Sequence, residues 1–357
     1  MIDGHGGNIY HLALRLGCAP EEIIDMSSNV NPLGPPPGLL DHLKNHLDSI
    51  KALPEVDSGA AVNAFSQRYG LPATRILAGN GTTQFIHALP RALASRRVLI
   101  LGPTYADYAD ACRMHRVPFE YFLTEEADGF RPDMARLARN AGRFDTVFIC
   151  NPNNPTGQLI NGNALESLCR AFPETRFIID ESYLSFADRE EDHTLLGMDL
   201  PNAVVLHSMS KIFRVPGLRI GFLAAPEPII DQMKRYFLPW SVNSLAQQAV
   251  IHLMTHRTET DAFVQHSRRF LEEERQRLAA SLKSHPALIL FPSCTSFILI
   301  RLLQGYTAEK ICDALARDRI LIRNCANFEG LSDQFIRISL KTADINRRVI
   351  EQLLTIS

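Results

Sequence analysis

The hexapeptide Leu206-His207-Ser208-Met209-Ser210-Lys211, with Arg219 eight residues past its lysine, sets an amine beside two hydroxyls and a guanidinium. The run Ala203-Val204-Val205-Leu206 is apolar and largely β-branched, the composition of a short buried strand. A lysine just past a buried strand end is badly placed for a solvated charge. Partial burial lowers its pKa, and a neutral amine is a nucleophile that condenses with aldehydes. Ser208, Ser210 and Arg219 suit a dianionic phosphate. Amine plus phosphate cradle points to pyridoxal 5′-phosphate (PLP) bound as a Schiff base, set against the plainer reading of a surface lysine in a turn.

Other segments bear on the same chemistry. Gly79-Asn80-Gly81-Thr82-Thr83-Gln84 leads into an amphipathic helix expected over residues 85–94. Free N–H groups and a positive dipole end make such a turn an anion site, or else a simple glycine cap. Gly102-Pro103-Thr104-Tyr105 follows a strand, so Tyr105 lies at a carboxyl edge where ligands bind, and could stack on a pyridine ring or pack in the core. In Asn151-Pro152-Asn153-Asn154-Pro155-Thr156-Gly157 two prolines fix the loop, leaving three asparagine amides able to face the crevice. Asp180-Glu181-Ser182-Tyr183 also follows a strand. A carboxylate there would keep a pyridine nitrogen protonated and the ring electron-poor; an acidic strand-end turn is the commoner meaning. Arg323 and Arg337 sit among apolar strand residues. Buried arginines need an anion, and a substrate carboxylate or phosphate would supply it. The pairs His42/His46 and His252/His256 have i,i+4 spacing but lack the glutamate of H-E-x-x-H, so no metal is expected.

Positioning these residues takes a scaffold of strands and helices in alternation. Strands are expected at 98–101, 119–122, 146–150, 177–179, 203–206 and 220–224, with helices at 105–115, 132–139 and 162–172. That order implies βαβ units and a mainly parallel sheet covered on both faces. Before it, residues 9–16 read as a short helix and 23–27 as a strand running into a Pro-rich loop. Residues 39–50 and 59–69 also have helical periodicity. Beyond Pro226 come helices at 246–254 and 258–283, then strands at 297–301, 320–323 and 335–339 with helices at 308–317 and 344–354. The expected division is an arm with substrate-pocket segment (1–35), a large domain (36–265) and a smaller α+β C-terminal domain (266–357).

Bulk properties narrow the function further. The 357 residues are 46% hydrophobic, enough for a sizeable core, and the net charge of −2 with no basic stripe argues against nucleic acid and anionic membranes. Seven scattered cysteines without C-x-x-C spacing fit a reduced cytoplasm rather than a disulfide framework or zinc site. Neither a leader sequence nor a membrane span is read.

Taken in order, GNGTT, GPTY, NPNNPTG, DESY, SMSK and Arg219 resemble the fold-type I PLP enzymes, specifically the class I/II aminotransferase superfamily. The resemblance spans nearly the whole chain. It implies an α/β fold: a large domain with a mainly parallel seven-stranded sheet plus the smaller α+β domain. By the same resemblance Lys211 is the Schiff-base lysine, Asp180 the pyridinium partner, and Tyr105 stacks on the ring; these are the candidate catalytic residues. Asn154 and Tyr183 would contact O3′, and Gly81, Thr82, Ser208, Ser210 and Arg219 the cofactor phosphate.

Two subgroups share these motifs. One is the histidinol-phosphate aminotransferases. His5-Gly6-Gly7-Asn8, Asn29-Val30-Asn31-Pro32-Leu33-Gly34 and Leu238-Pro239-Trp240-Ser241-Val242-Asn243 look instead like the threonine-phosphate decarboxylases of cobalamin synthesis. That likeness implies decarboxylation of a phosphorylated amino acid, phosphothreonine or its near neighbour phosphoserine. His5, Asn8, Asn31, Asn154, Arg323 and Arg337 would shape the substrate pocket, and a homodimer would be the working form. One departure is Leu53-Pro54 where these families often have Tyr-Pro, a tyrosine that reaches the neighbouring subunit's cofactor phosphate. A non-catalytic sensor domain is the alternative of another class, and no helix-turn-helix extension or basic patch accompanies it here.

Overall fold

The computed structural model describes residues 6–355. Strand β1 (Ile24–Asp25) belongs to the N-terminal arm. The central sheet follows: β2 (Ile76–Gly79), β3 (Val98–Gly102), β4 (Phe119–Leu123), β5 (Thr146–Cys150), β6 (Arg176–Asp180), β7 (Ala203–Ser208) and β8 (Gly221–Ala224). Its seven strands run in the order β2-β8-β7-β6-β5-β3-β4. Only β8 opposes its neighbours; β4, β3, β5, β6 and β7 pair in parallel.

Alternation along each parallel strand explains its unbroken hydrophobicity. Val98, Ile100, Phe148, Ile178, Val204 and Leu206 enter one apolar cluster, while Leu99, Val147, Phe177, Ile179 and Val205 enter a second. Side chains two apart share a face, so both faces of the sheet are dry. Phe85, Ile86 and Leu89 of helix Gly81–Ala92 and Phe65 of helix Gly59–Tyr69 cover the first face. Leu137 of helix Met134–Ala141 and Leu165 of helix Gly162–Ala171 cover the second.

The C-terminal part builds a second, antiparallel sheet from β9 (Leu288–Leu290), β10 (Phe297–Leu302), β12 (Arg323–Asn324) and β13 (Phe335–Ser339), in the order β12-β13-β10-β9. The remaining strand, β11 (Ile320–Leu321), pairs in parallel with β1. One continuous strand is expected over 320–323, and the structure breaks it after Leu321. Its first half is claimed by the arm and its second by β13, so the backbone changes partner between them.

Two further differences concern boundaries. The strand β2 escapes the sequence pattern because it is four residues long and ends in glycine. The helix expected over 85–94 starts four residues earlier, at Gly81, which puts the Gly-Thr-Thr turn inside its first turn. Helix Arg257–Leu282 joins the two sheets. Its first half is tied to the large sheet's side through Asp261–Arg68 and Arg268 to the Ser185 carbonyl. Its second half packs on helix Ala343–Leu354, where the Asn346 amide donates to Glu274.

Candidate active site

The carboxyl ends of β5, β6 and β7 converge with the start of helix Gly81–Ala92 on one cleft. Lys211 sits in the four-residue helix Met209–Ile212, immediately after β7. Its amine lies 5.9 Å from the Tyr183 ring centre. Burial lowers its pKa to about 8, and Arg219 and Arg337 push it the same way while Asp180 opposes them. An amine that is substantially neutral near pH 8 is what condensation with an aldehyde needs.

Asp180 ends β6 and is 4% exposed. Burial raises its pKa, and hydrogen bonds from Ser182 and Tyr108 pull the other way. Tyr108 Oη donates to Oδ2 at 2.8 Å, and the Ser182 N–H and hydroxyl both donate to Oδ1. No lysine or arginine lies within ion-pair distance of this carboxylate among the described residues. A buried acid with three donors and no adjacent cation suits a protonated ring nitrogen.

The anion cradle is equally specific. Gly81 has φ +72°, and a Cβ there would collide with the Arg219 guanidinium. A Cβ at Gly221 would press on the Thr82 backbone nitrogen. Both glycines let Arg219 and the first turn of helix Gly81–Ala92 approach one point, where Ser208 and Ser210 also open. Gly81, Thr82, Tyr105, Asn154, Asp180, Tyr183, Ser208, Ser210, Lys211 and Arg219, the ten residues expected around the cofactor, all line this one cavity. The donor set therefore fits PLP: cradle, amine and ring-nitrogen acid are present together.

Only one of the three loop asparagines faces the cleft. The Asn151 side chain is bonded to Ile160 through both its amide and its oxygen. Asn153 ties the loop to Pro103 and Thr104. Asn154 remains, and its oxygen accepts from Arg337 Nη1.

A second pocket opens from the first across Tyr105, Asn154, Tyr183 and Lys211, and is walled by Arg323 and Arg337. Arg337, on β13, is 4% exposed and donates its other terminal nitrogen to the Ser27 carbonyl. Its Nε has no partner among the described residues, and burial lowers its pKa. Arg323 donates to the Asn327 oxygen at 2.6 Å, and burial pulls it down to about 10. Neither arginine has a carboxylate partner among the described residues. Two such guanidinium groups call for anionic ligand groups.

The other expected substrate residues are placed differently. His5 lies outside the described residues. Asn8 is exposed, and its oxygen caps helix Ile9–Leu16 by accepting from His11 N. Asn31 is fully buried and lines neither pocket. Its amide donates to the Ile212 carbonyl and the Ser267 hydroxyl, and its backbone N–H to the Lys211 carbonyl. The histidine pairs stack into one column, with His42 against His252 at 4.5 Å; no group of three or more metal-ligating side chains is arranged for a metal among the described residues.

Sequence reasoning missed Asn29, Ser28, Asn327 and Tyr108. Asn29 donates to Tyr183 Oη and accepts from the Ser339 hydroxyl, so it steadies the phenol from the arm. The spacing Tyr105-x-x-Tyr108 at a helix start is the signal that could have found Tyr108.

Fold and site define a PLP-dependent enzyme of fold type I, and the chain belongs to the aminotransferase class I and II family, matching it over residues 21–355. It is 32% identical over 354 residues to the threonine-phosphate decarboxylase of Salmonella typhimurium, covering 98% of this chain and 95% of that protein. The crystal structure of L-threonine-O-3-phosphate decarboxylase from Porphyromonas gingivalis superposes with a TM-score of 0.83 at 29% identity, over 93% of this chain and 99% of that one. Histidinol-phosphate aminotransferase from Clostridium acetobutylicum gives 0.85 at 27% identity, over 93% and 98%.

Proposed function

We propose that this enzyme decarboxylates L-threonine O-3-phosphate to (R)-1-amino-2-propanol O-2-phosphate and carbon dioxide, a step of cobalamin biosynthesis. The observation that carries this reading is the pair Arg323 and Arg337, without carboxylate partners among the described residues, at the mouth of the Lys211 cavity. A phosphorylated amino acid brings two anionic ends to two cations. The relatives named as threonine-phosphate decarboxylases support the same choice.

Bound PLP supplies an electron-poor ring that accepts electrons from whichever Cα bond stands perpendicular to it. The protein chooses that bond by orientation. We assign Arg337, held by Asn154 and Ser27, to one anionic end and Arg323 to the other, so that the carboxylate stands upright. Asp180 would keep the ring nitrogen protonated, Tyr105 would back the ring, and Asn154 with Tyr183 would hold the phenolate side. Lys211 would carry the cofactor, and its amine, which lines both pockets, would be the group to return a proton to Cα.

We also propose a cytoplasmic homodimer. Support for the location is the seven free cysteines. Support for the dimer is the exposed apolar set Leu40, Leu47, Ile50, Leu53, Val56 and Trp240.

The test is to incubate the PLP-loaded enzyme with phosphothreonine, phosphoserine, or histidinol phosphate plus 2-oxoglutarate. Carbon dioxide and aminopropanol phosphate from phosphothreonine are expected. One methyl group is worth about 1–3 kcal/mol, so phosphoserine should turn over roughly 5- to 150-fold less efficiently. Glutamate formation without gas would assign the enzyme to histidinol-phosphate transamination instead.

A further inference from the structure

Tyr108 is buried at 1% exposure and carries a titratable hydroxyl, and beyond its contact with Asp180 it is given no role in the reaction above. It stands in helix Asp107–Met114, after β3. Its partner Asp180 ends β6, and β5 lies between the two strands. The tyrosine ring bridges that gap by stacking on Phe148 of β5, with centres 5.1 Å apart and planes at 22°. Tyr105 meets the same ring edge-on at 5.9 Å. Held on two sides, the ring delivers its hydroxyl to Asp180 Oδ2 at 2.8 Å.

The opposite oxygen takes both donors of Ser182, whose hydroxyl lies 3.4 Å from Thr82 Oγ1 in the phosphate turn. A carboxylate facing a pyridine nitrogen shares one proton with it. Each hydrogen bond donated to the carboxylate lowers its basicity and leaves that proton on the ring. Burial acts in the other direction, making the acid more basic and drawing the proton off the nitrogen.

We propose that Tyr108 is a positioning residue that keeps the shared proton on the cofactor ring nitrogen by donating to Asp180. The inference rests on Asp180 being the ring-nitrogen partner. Without the phenol donor, burial raises the basicity of Asp180 and the ring becomes a weaker electron acceptor. Binding of the cofactor phosphate and of both substrate anions is untouched, because those contacts lie on other segments.

The experiment uses enzyme loaded with PLP carrying ¹⁵N in the ring, read by NMR. In Tyr108→Phe the nitrogen resonance should move toward the neutral-pyridine position. Loss of one hydrogen bond to a charged group should lower kcat about tenfold with KM unchanged. Ser182→Ala should shift the resonance in the same direction. 3-Fluorotyrosine incorporated at position 108 keeps the geometry with a stronger donor and should shift it the opposite way, which also serves if Tyr108→Phe does not fold. An unmoved resonance in loaded Tyr108→Phe, or in the fluorotyrosine enzyme, overturns the proposal. Asp180→Ala separates the two levels. If it too leaves the resonance in place, the assignment of Asp180 has failed; if it moves the resonance while the position-108 changes do not, only the role of Tyr108 has.

Discussion

At the scale of single residues, the site keeps charged groups where water cannot fully solvate them. Lys211 is the clearest case. With a folded pKa of about 8 against an ordinary 10.5, the unfolded chain binds the extra proton between those values, so stability rises with pH across that window. Below pH 8 the folded protein carries the whole penalty, on the order of 1–3 kcal/mol after allowing for partial solvation. Lys211→Met should therefore raise the melting temperature of the cofactor-free protein, most below pH 8 and not at all near pH 10.5. A calorimetric pH series on the two proteins checks it, and a uniform gain at every pH would contradict a proton-linked origin. Lys211, Asp180 and Tyr105 stood out in the sequence because each comes just after a hydrophobic run that reads as a strand, whereas Gly81 and Thr82 were marked by a glycine turn opening a helix, without their strand β2 being seen. Tyr108 was not, since an aromatic three residues into a helix reads as core until its hydroxyl is seen to have an acid to meet.

Elements, rather than residues, explain why Asn31 was misplaced. The motif Asn29-Val30-Asn31-Pro32 holds two asparagines two residues apart, which a regular strand would put on one face, but this segment is an irregular loop and sends them apart. Asn29 lines the pocket walled by Arg323 and Arg337, while Asn31 turns inward to bind the helix Met209–Ile212. That helix has a single turn and cannot satisfy its own last carbonyls. The Asn31 backbone and side chain serve the Lys211 and Ile212 carbonyls, and the same amide reaches Ser267 on the long helix. Asn31→Ala leaves buried acceptors unpaired and should cost about 1–3 kcal/mol, read from the urea midpoint. Its second effect is on chemistry: with the lysine helix less firmly held, kcat should fall several-fold more than KM rises. A variant that loses stability but keeps wild-type kcat would show that the loop only braces the fold. The same partner dependence hid the split between β11 and β12, because Ile320-Leu321-Ile322-Arg323 has one apolar pattern and two destinations.

For the whole molecule, the main sheet was readable from alternating strands and helices, but the surface it offers to other chains was not. Periodicity marks the apolar residues of 39–50 as a helix face without saying what covers them. In the structure Leu40, Leu47, Ile50, Leu53 and Val56 stand exposed, and the Trp240 backbone N–H donates to the Val56 carbonyl, which brings an exposed aromatic to the same area. Monomeric proteins seldom leave contiguous apolar patches beyond a few hundred Å² open to water. A second copy of the chain is the proposed cover. Placing carboxylates at its centre, as in a Leu47→Glu, Ile50→Glu double variant, would force two charges into a dry contact in each subunit. Sedimentation velocity at about 10 μM should then give half the wild-type mass. The folded core should be unaffected, because neither side chain belongs to a buried cluster. Equal masses for variant and wild type would remove this face as the interface.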